Sequence, residues 1–335
     1  MSNVPLLHAR FPALRERLPH IVLGERPTPV RLLEGLTAEG EAPVWMKDDG
    51  AFGSGSWGGN KVRKLEWLLP EARRRGARTI LTVGGLGTNW GLAAALYGRD
   101  QGLRTALALV DQPVDEHVRE HLERLRASGA TIHRTRNKAG TIAALPWLLL
   151  RHSGRQPPYL LPAGGSNAIG VLGYVEASLE LAEQVAAGAL PEPSHVVVAV
   201  GSGGSAAGLA LGLRLAGLRT RVVGVPVTRD LRVDPGSLAR LAGRTETLLR
   251  RRGAELPAAG ASAGEPRVLD GWIGAGYGHA TPEGEAATVA AREGDGLVLD
   301  PVYTAKAVAA LRAENAAGRF GEGPVLYLHT DGPRY

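Results

Sequence analysis

Short apolar runs alternate with longer amphipathic segments along this chain, and this alternation restricts the possible folds more than any other feature. Runs of strand length and composition occupy residues 43–49, 78–83, 104–110, 131–135 and 158–162. Segments with helical spacing of apolar residues follow at 88–102, 115–129 and 143–153. Strands that alternate with helices form parallel sheets covered by helices, so the sequence predicts the α/β class.

The alternation continues after the stretch GGSN at 164–167. Helices are predicted at 170–186 and 206–217, and strands at 195–200, 219–227, 296–303 and 324–330. The segment 230–270 is rich in Arg, Ala and Pro, which predicts a helix plus an irregular loop. A chain of 335 residues is longer than one hydrophobic core usually accommodates, so we expect two lobes.

The composition excludes several classes of protein. The formal net charge is +6, but the arginines are spread along the chain, so we expect no nucleic-acid binding. The absence of cysteine excludes disulfides, cysteine-bound zinc and thiol catalysis. The histidines lack the spacing of metal ligands, so we expect no required metal. Residues 196–213 are uncharged, but their Gly and Ser content predicts a buried strand, turn and helix rather than a membrane span.

The stretch GSGGSAAG at 201–208 follows a valine-rich strand and opens a helix. Glycines let the backbone approach an anion closely, and the free N–H groups of a first helical turn point toward it. The stretch therefore resembles a phosphate-binding turn, although it is not a P-loop. A tight strand-to-helix turn without a ligand would also explain it when it is taken alone.

Lysine is rare, with 5 lysines against 34 arginines, yet two lysines occur in GGNKVRKLEW at 58–67. Asn60 is predicted to cap a helix, which places Lys61 in its first turn and Lys64 one turn later. Two cations at this end oppose the helix dipole. Lysine offers an amine that can lose its proton and attack a carbonyl carbon, whereas arginine does not. The pair therefore indicates covalent catalysis, with two ordinary surface lysines as the alternative.

A further strand-to-helix turn, GGLGTNWG at 84–91, places Thr88 and Asn89 at a predicted helix N-terminus. Backbone N–H groups at such a terminus can hold a carboxylate. Ordinary helix capping explains the two residues equally well.

These motifs lie in the order found in a known family. The chain resembles the pyridoxal-phosphate (PLP) enzymes of the 1-aminocyclopropane-1-carboxylate (ACC) deaminase and D-cysteine desulfhydrase group. The resemblance is carried nearly end to end by RPTPV (26–30), GGNKVRKLEWLL (58–69), GGSNAIGVLGYVEA (164–177), GSGGSAAG, GYG (276–278), LDPVYTAKA (299–307) and HTDG (329–332).

The resemblance implies the tryptophan-synthase-β-like PLP fold (fold type II), with two lobes that each contain a helix-covered, mainly parallel sheet. The larger, PLP-binding lobe would comprise residues 1–54 and 163–335, and the smaller inserted lobe residues 55–162. The resemblance also implies a cytoplasmic homodimer that acts on a small amino acid.

The resemblance further implies roles for individual residues. Lys61 matches the lysine that bonds to the aldehyde of PLP and moves the α-proton of the substrate. The predicted catalytic residues are Lys61, Thr88, Tyr277 and Tyr303. The predicted cofactor-binding residues are Lys61, Lys64, Asn89, Ser202, Gly203, Gly204, Ser205, Thr304 and Thr330. The predicted substrate-binding residues are Thr88, Asn89 and Trp90.

Thr304 bears on the type of reaction. The deaminases carry Glu at its position, whereas the desulfhydrases carry Thr, and a hydroxyl makes the pyridine ring a weaker electron acceptor. We therefore expect α,β-elimination to a keto acid and ammonia, with ring opening or β-replacement as alternatives. A non-catalytic relative that binds PLP or phosphate is an alternative from another class. Thr88, Trp90 and Asp331 depart from the family pattern and predict a substrate other than D-cysteine.

Overall fold

A computed structural model describes residues 4–53, 58–257 and 264–332 of the chain. The lobe boundary predicted between residues 54 and 55 lies outside these described residues. Within them the chain forms eleven α-helices and ten β-strands.

The helices are α1 (Leu6–Arg10), α2 (Leu14–Arg17), α3 (Asn60–Arg74), α4 (Asn89–Asp100), α5 (Glu116–Ala127), α6 (Lys138–His152), α7 (Leu172–Ala186), α8 (Gly204–Ala216), α9 (Pro235–Arg251), α10 (Pro282–Asp295) and α11 (Thr304–Ala316). The strands are β1 (Val30–Leu32), β2 (Val44–Asp48), β3 (Thr79–Gly85), β4 (Arg104–Val110), β5 (Thr131–Arg136), β6 (Tyr159–Leu161), β7 (His195–Val200), β8 (Arg221–Pro226), β9 (Arg267–Val268) and β10 (Val325–His329).

The strands form two sheets. One has six strands in the order β1-β2-β10-β7-β8-β9, in which β1 alone runs antiparallel to its neighbour. The other has four parallel strands in the order β5-β4-β3-β6. The α/β class and the predicted strands at 104–110 and 195–200 are thus confirmed. All six residues of β7 are buried, as expected for a strand in a sheet covered on both faces.

The strand predicted at 296–303 is absent, and that prediction was wrong. Burial alternates at residues 297–299, which imitates the pattern of a strand. Gly296, with a φ of 62°, ends α10 immediately before this segment. The carboxylate of Asp300 then accepts the backbone N–H groups of Val302, Tyr303 and Thr304. These groups are therefore committed to starting α11 and are not free to pair with a neighbouring strand.

No helix of the described residues is both long enough and apolar enough to cross a membrane. The uncharged run at 196–213 divides into β7 after its first residue, a glycine turn and most of α8.

Helix α3 lies in the interior, where twelve of its fifteen residues are buried. Its apolar residues pack in one core with those of α4 and α7. Because the helix is buried nearly all round, its polar side chains also lack access to water and need partners within the protein.

Four buried charges connect α3 to β2 and α7. Arg63 of α3 forms two hydrogen bonds with Asp49, of 2.9 and 2.8 Å, and two with Glu180, both of 3.0 Å. Lys47 of β2 donates to the same Glu180 carboxylate at 2.5 Å. We call Lys47, Asp49, Arg63 and Glu180 the buried charge cluster, and none of them is more than 2% exposed. Burial raises the pKa of Glu180, but Arg63 and Lys47 outweigh it and hold that pKa below its ordinary value.

Arg63→Met is expected to lower the free energy of unfolding by about 3–5 kcal/mol, because it leaves the buried Asp49 carboxylate without a cation. The control is Arg250→Met, which breaks a surface pair with Glu246 and should change the same quantity by less than about 1 kcal/mol. Urea denaturation followed by circular dichroism measures both variants. Equal effects of the two substitutions would contradict a structural role for the buried charge cluster.

Candidate active site

A cavity of about 900 Å³ lies where the carboxyl ends of the parallel strands of both sheets meet. Open α/β sheets bind ligands at this edge, because the loops that follow the strands project there. The walls comprise residues 83–85 of β3, 110–113 after β4, 136–138 after β5, 162–164 after β6, 201–202 after β7, 228–231 after β8 and 330–332 after β10. The start of α3 supplies a further side, with Gly58, Asn60 and Lys61.

Helix α3 begins differently from the sequence prediction. Gly59, with a φ of 100°, occupies the N-cap position, and Asn60 is the first helical residue without a side-chain cap. The predicted Asn60 cap was therefore wrong, because the backbone at the cap adopts a conformation that favours glycine. A Cβ on Gly332 would lie 2.4 Å from the carbonyl carbon of Gly58. The glycines thus allow residues 330–332 to pack directly against the start of α3.

Lys61 lies in the first turn of α3 and lines the cavity. Its Nζ is 5.8 Å from the centroid of the Tyr303 ring. Burial lowers the pKa of Lys61 to about 8, although the nearby Asp300 carboxylate limits the decrease. At pH 7 about one amine in ten would then be neutral, against about one in three thousand for an ordinary lysine. Lys61 is therefore suited both to attack a carbonyl carbon and to accept a proton.

Lys64 lies one turn further along α3, behind the cavity wall, and is 1% exposed. Its Nζ donates to the carbonyl oxygen of Gly164 at 3.1 Å. Burial, and next the charge of Lys61, lower the pKa of Lys64 well below its ordinary value. Among the described residues no carboxylate forms an ion pair with this amine. An anionic ligand beside this buried amine would supply the negative charge that favours its protonated form.

The turn before α8 converges on the same place. Gly203 has a φ of 85°, and the Gly204 N–H donates to the hydroxyl of Ser166 at 3.1 Å. That hydroxyl lies 2.7 Å from the Ser202 hydroxyl. A Cβ on Gly204 would lie 2.3 Å from Ser166 Oγ and 3.0 Å from Lys64 Nζ. Glycine at 204 is therefore what allows a backbone N–H, two hydroxyls and an amine to meet at one point.

Ser166 was not among the predicted site residues. It lies in the stretch GGSN, which carried part of the family resemblance but to which no role was given. Its position opposite residues 202–204 depends on how two distant segments pack, so the available signal was only its occurrence in that stretch.

The start of α4 is both a capped helix and a wall of the cavity. Thr88 accepts a hydrogen bond from the Gly91 N–H at 3.1 Å, which leaves its O–H free to donate. Asn89 Oδ1 lies 2.8 Å from Nε2 of His121. Both Thr88 and Asn89 line the cavity.

Trp90 is placed by two contacts beneath the start of α4. Its indole N–H donates to the Thr82 hydroxyl at 2.8 Å. A Cβ on Gly165 would lie 2.5 Å from the indole ring, so glycine there makes room for it. The side chain is 3% exposed and contributes apolar surface to the wall.

Two tyrosines form a pair on the opposite wall. The Tyr303 hydroxyl donates to the Tyr277 hydroxyl at 3.2 Å, and the rings are nearly perpendicular. Burial raises the pKa of both side chains. The two phenols are therefore neutral near pH 7 and can donate protons.

Thr304 is 1% exposed and lies behind the cavity wall, whereas Asp300, which was not predicted as a site residue, lines the cavity. Thr330 also lines it, and its carbonyl oxygen accepts the Asn60 N–H at 3.4 Å. The motif LDPVY contained Asp300, but the sequence alone did not separate a helix-starting aspartate from a site residue.

The structure brings the predicted residues into one region in two layers. The cavity is lined by Lys61, Thr88, Asn89, Trp90, Ser202, Tyr277, Tyr303 and Thr330. The residues behind its wall are Lys64, Gly203, Gly204, Ser205 and Thr304. No group of three or more His, Asp or Glu side chains suited to a metal ion occurs in the described parts of the chain.

The fold and the cavity define an α/β enzyme in which a lysine of lowered pKa lies near the glycine-containing turn that precedes α8. A sequence model of the family described as "Pyridoxal-phosphate dependent enzyme" matches residues 21–331. The chain belongs to this family, and PLP is its cofactor.

Similar proteins match nearly the whole chain. A D-cysteine desulfhydrase of Klebsiella pneumoniae strain 342 is 34% identical over an alignment of 325 residues, and the match covers 94% of each protein. A D-cysteine desulfhydrase of Klebsiella pneumoniae subsp. pneumoniae is 33% identical over 323 residues, again 94% of each. The crystal structure of an ACC deaminase homologue, 30% identical, superposes with a TM-score of 0.81 and covers 98% of this chain and 94% of that one. The predicted family and fold are thus confirmed.

Gly204→Ala is expected to weaken PLP binding by at least about tenfold, because the added methyl group would displace the Ser166 hydroxyl or the Lys64 amine from the turn. Equilibrium dialysis of the apoprotein with PLP, and with pyridoxal that lacks the phosphate, measures the effect. The loss should be larger for PLP than for pyridoxal. The matched control is Gly243→Ala in α9, where an added Cβ meets nothing within 4 Å. Wild-type PLP affinity in Gly204→Ala would show that the turn does not hold the phosphate.

Proposed function

We propose that this chain is a PLP-dependent lyase that removes the α-proton and a β-substituent from a small amino acid, with hydrolysis to a keto acid and ammonia. The observation that carries the proposal is the environment of Lys61. Its amine, with a pKa lowered to about 8, opens into a cavity beside a turn suited to an anion.

The residues present are suited to hold PLP. In the proposal Lys64, Ser202, Ser205 and the backbone of Gly203 and Gly204 bind its phosphate. The buried amine of Lys64, which donates a hydrogen bond to a carbonyl oxygen, supports this assignment. Asn89 would lie beside the 3-hydroxyl, and Thr304 with Thr330 near the ring nitrogen. When bound, PLP supplies an aldehyde that captures amino groups and a ring that accepts electrons from the substrate α-carbon.

Lys61 is proposed to bond to the cofactor and to act as the base. Once its amine is released by the incoming amino group, Nζ accepts the α-proton of the substrate. The Tyr303 ring, 5.8 Å from Nζ, favours the positive charge that then appears there. Tyr303 or its partner Tyr277 can give a proton to the departing β-substituent, because both phenols are neutral.

The start of α4 is proposed to bind the substrate carboxylate. Thr88 offers an O–H, Asn89 an amide, and the helix end offers backbone N–H groups. Trp90 would shape the wall without donating a hydrogen bond, because its N–H is held by Thr82. Thr88, Trp90 and Asp331 all line the cavity, which supports a preferred substrate other than D-cysteine.

The relatives support elimination as the first candidate reaction. Two of them are D-cysteine desulfhydrases at 33–34% identity over 94% of the chain. Ring opening is the second candidate, because the similar crystal structure is described as an ACC deaminase homologue.

The purified protein with PLP is expected to release keto acid and ammonia in equal amounts from at least one amino acid with a leaving group on Cβ. A panel of D- and L-amino acids, with ACC included, is assayed for both products by coupled enzymes. Release of keto acid and ammonia from ACC alone would identify ring opening instead. A condensed product or racemisation alone would likewise contradict elimination.

Lys61→Ala and Lys61→Arg separate catalysis from binding. Both are expected to lower kcat by at least about 10²–10⁴-fold, because neither side chain accepts a proton. Lys61→Arg is the sharper variant, since it keeps the positive charge. Wild-type activity in Lys61→Arg would contradict the assignment of the base. A bound cofactor whose absorption responds to no amino acid would support the non-catalytic alternative.

We propose lobes of residues 1–54 with 163–335 and of residues 55–162. Strand membership supports them, because the four-stranded sheet takes its strands from 79–161 and the six-stranded sheet from 30–48 and 195–329. If hydrogen exchange shows that the backbone amides of both sheets become exposed in a single cooperative opening, this division is contradicted.

We propose that the enzyme is a homodimer in the cytoplasm. The dimer is supported by the family resemblance and by large apolar side chains exposed on α6, such as Trp147 at 53% and Leu150 at 78%. Sedimentation equilibrium should give twice the chain mass of 35.2 kDa, and a single-chain mass at micromolar concentration would contradict it. The cytoplasmic location rests on the cysteine-free composition.

A further inference from the structure

Asp300 and Thr304 form a closed hydrogen-bonded pair at the start of α11. The Thr304 hydroxyl lies 2.8 Å from Asp300 Oδ2 and accepts the Asp300 backbone N–H at 2.7 Å. The Thr304 N–H donates to the same carboxylate oxygen at 3.0 Å. The other oxygen, Oδ1, accepts the N–H groups of Val302 and Tyr303.

This arrangement fixes the direction of the Thr304 hydroxyl. A hydroxyl has one hydrogen to donate and two lone pairs with which to accept. Here the hydrogen has two acceptors within reach, of which the Asp300 carboxylate, at 2.8 Å, is nearer than the Asp300 carbonyl oxygen, at 3.2 Å, and one lone pair takes the Asp300 N–H. What remains is a single lone pair, so toward any further neighbour Thr304 acts as an acceptor.

The pair also places a carboxylate at the cavity. Asp300 lines the cavity and faces charged or titratable groups from several elements, namely Lys61, Lys306, Tyr277, Tyr303, Tyr327 and His329. Burial raises the pKa of the three tyrosines and lowers the pKa of His329. These four neighbours therefore carry no competing negative charge near pH 7.

We propose that Asp300 and Thr304 act as one unit that keeps the ring nitrogen of PLP protonated. This rests on the proposed function, which puts Thr304 near that nitrogen. Asp300 supplies the negative charge and holds the hydroxyl hydrogen, and the Thr304 oxygen accepts the N–H of the ring. Asp300 is thus a positioning residue that acts through Thr304.

The pair changes what threonine at 304 implies. A lone hydroxyl can donate to an unprotonated ring nitrogen, which leaves the ring a weak electron acceptor. A hydroxyl whose hydrogen is committed to a carboxylate favours the protonated ring instead, as a glutamate would. A ring that accepts electrons more strongly is still compatible with elimination. It would also support ring opening, which a weak electron acceptor disfavours.

The test uses the intact protein loaded with PLP labelled with ¹⁵N in the ring, and it requires no turnover. The ¹⁵N chemical shift is compared with the limits set by free PLP in its protonated and unprotonated forms. Wild-type protein and Thr304→Ser are expected near the protonated limit at pH 7. Thr304→Val should move toward the unprotonated limit, because the acceptor is lost.

Asp300→Asn gives the sharpest contrast. The carboxamide removes the charge and can donate to Thr304, which turns the hydroxyl hydrogen toward the ring and should give the unprotonated shift. The control is Asp230→Asn, which removes an exposed carboxylate of another cavity wall and should leave the wild-type shift. If Asp300→Asn fails to fold or to bind PLP, Thr304→Val decides alone.

An unprotonated ring in the wild type, or an unchanged shift in Thr304→Val, would overturn the inference and leave the proposed lyase activity standing. A protein that binds no PLP would overturn both. Loss of activity with an unchanged ¹⁵N shift would assign Asp300 a purely structural role and also contradict the inference.

Discussion

The position of α3 depends on the buried charge cluster. Arg63 shares its guanidinium between carboxylates on two different elements and also lies 4.1 Å from the centroid of the Phe52 ring. Two positive and two negative charges balance one another, so their removal from water is offset by short, well-directed hydrogen bonds. Because such bonds tolerate little displacement, the cluster fixes the rotation of α3 about its axis and its position along that axis. Lys61 is thereby placed at the cavity, and Lys64 beside the turn that precedes α8.

Helix α3 thus carries buried charged groups in two different environments. On the side of Arg63 each buried charge has a partner of opposite sign. Burial lowers the pKa of both Lys61 and Lys64, and the charge of Lys61 lowers that of Lys64 further. The second arrangement opposes folding, since both amines would be more stable as cations in water. Functional sites commonly accept such a cost, and the balanced side provides the stability that makes it tolerable.

Much of the fold could be predicted, because parallel strands buried on both faces appear in the sequence as plain apolar runs such as β7. The errors came from backbone detail. At 296–303 a side-chain pattern imitated a strand, but an aspartate had already taken the backbone N–H groups. At the start of α3, Asn60 is a residue type suited to capping, but Gly59, with its positive φ, occupies the N-cap position instead. Ser166 was missed because its relevance arises from contacts with residues 202–204, far along the chain. Asp300 was missed because the sequence does not distinguish an aspartate that only starts a helix from one that also lines a cavity.

The scarcity of lysine has a consequence for the chemistry of the whole surface. Of the five lysines, those at 47, 64 and 306 are at most 1% exposed. Among side-chain amines, a dissolved aldehyde or other electrophile can therefore reach Lys138 and, through the cavity, Lys61. Guanidinium groups provide most of the positive charge without forming the adducts that amines form. An enzyme that depends on a reactive aldehyde thus has few other lysine amines that compete for it.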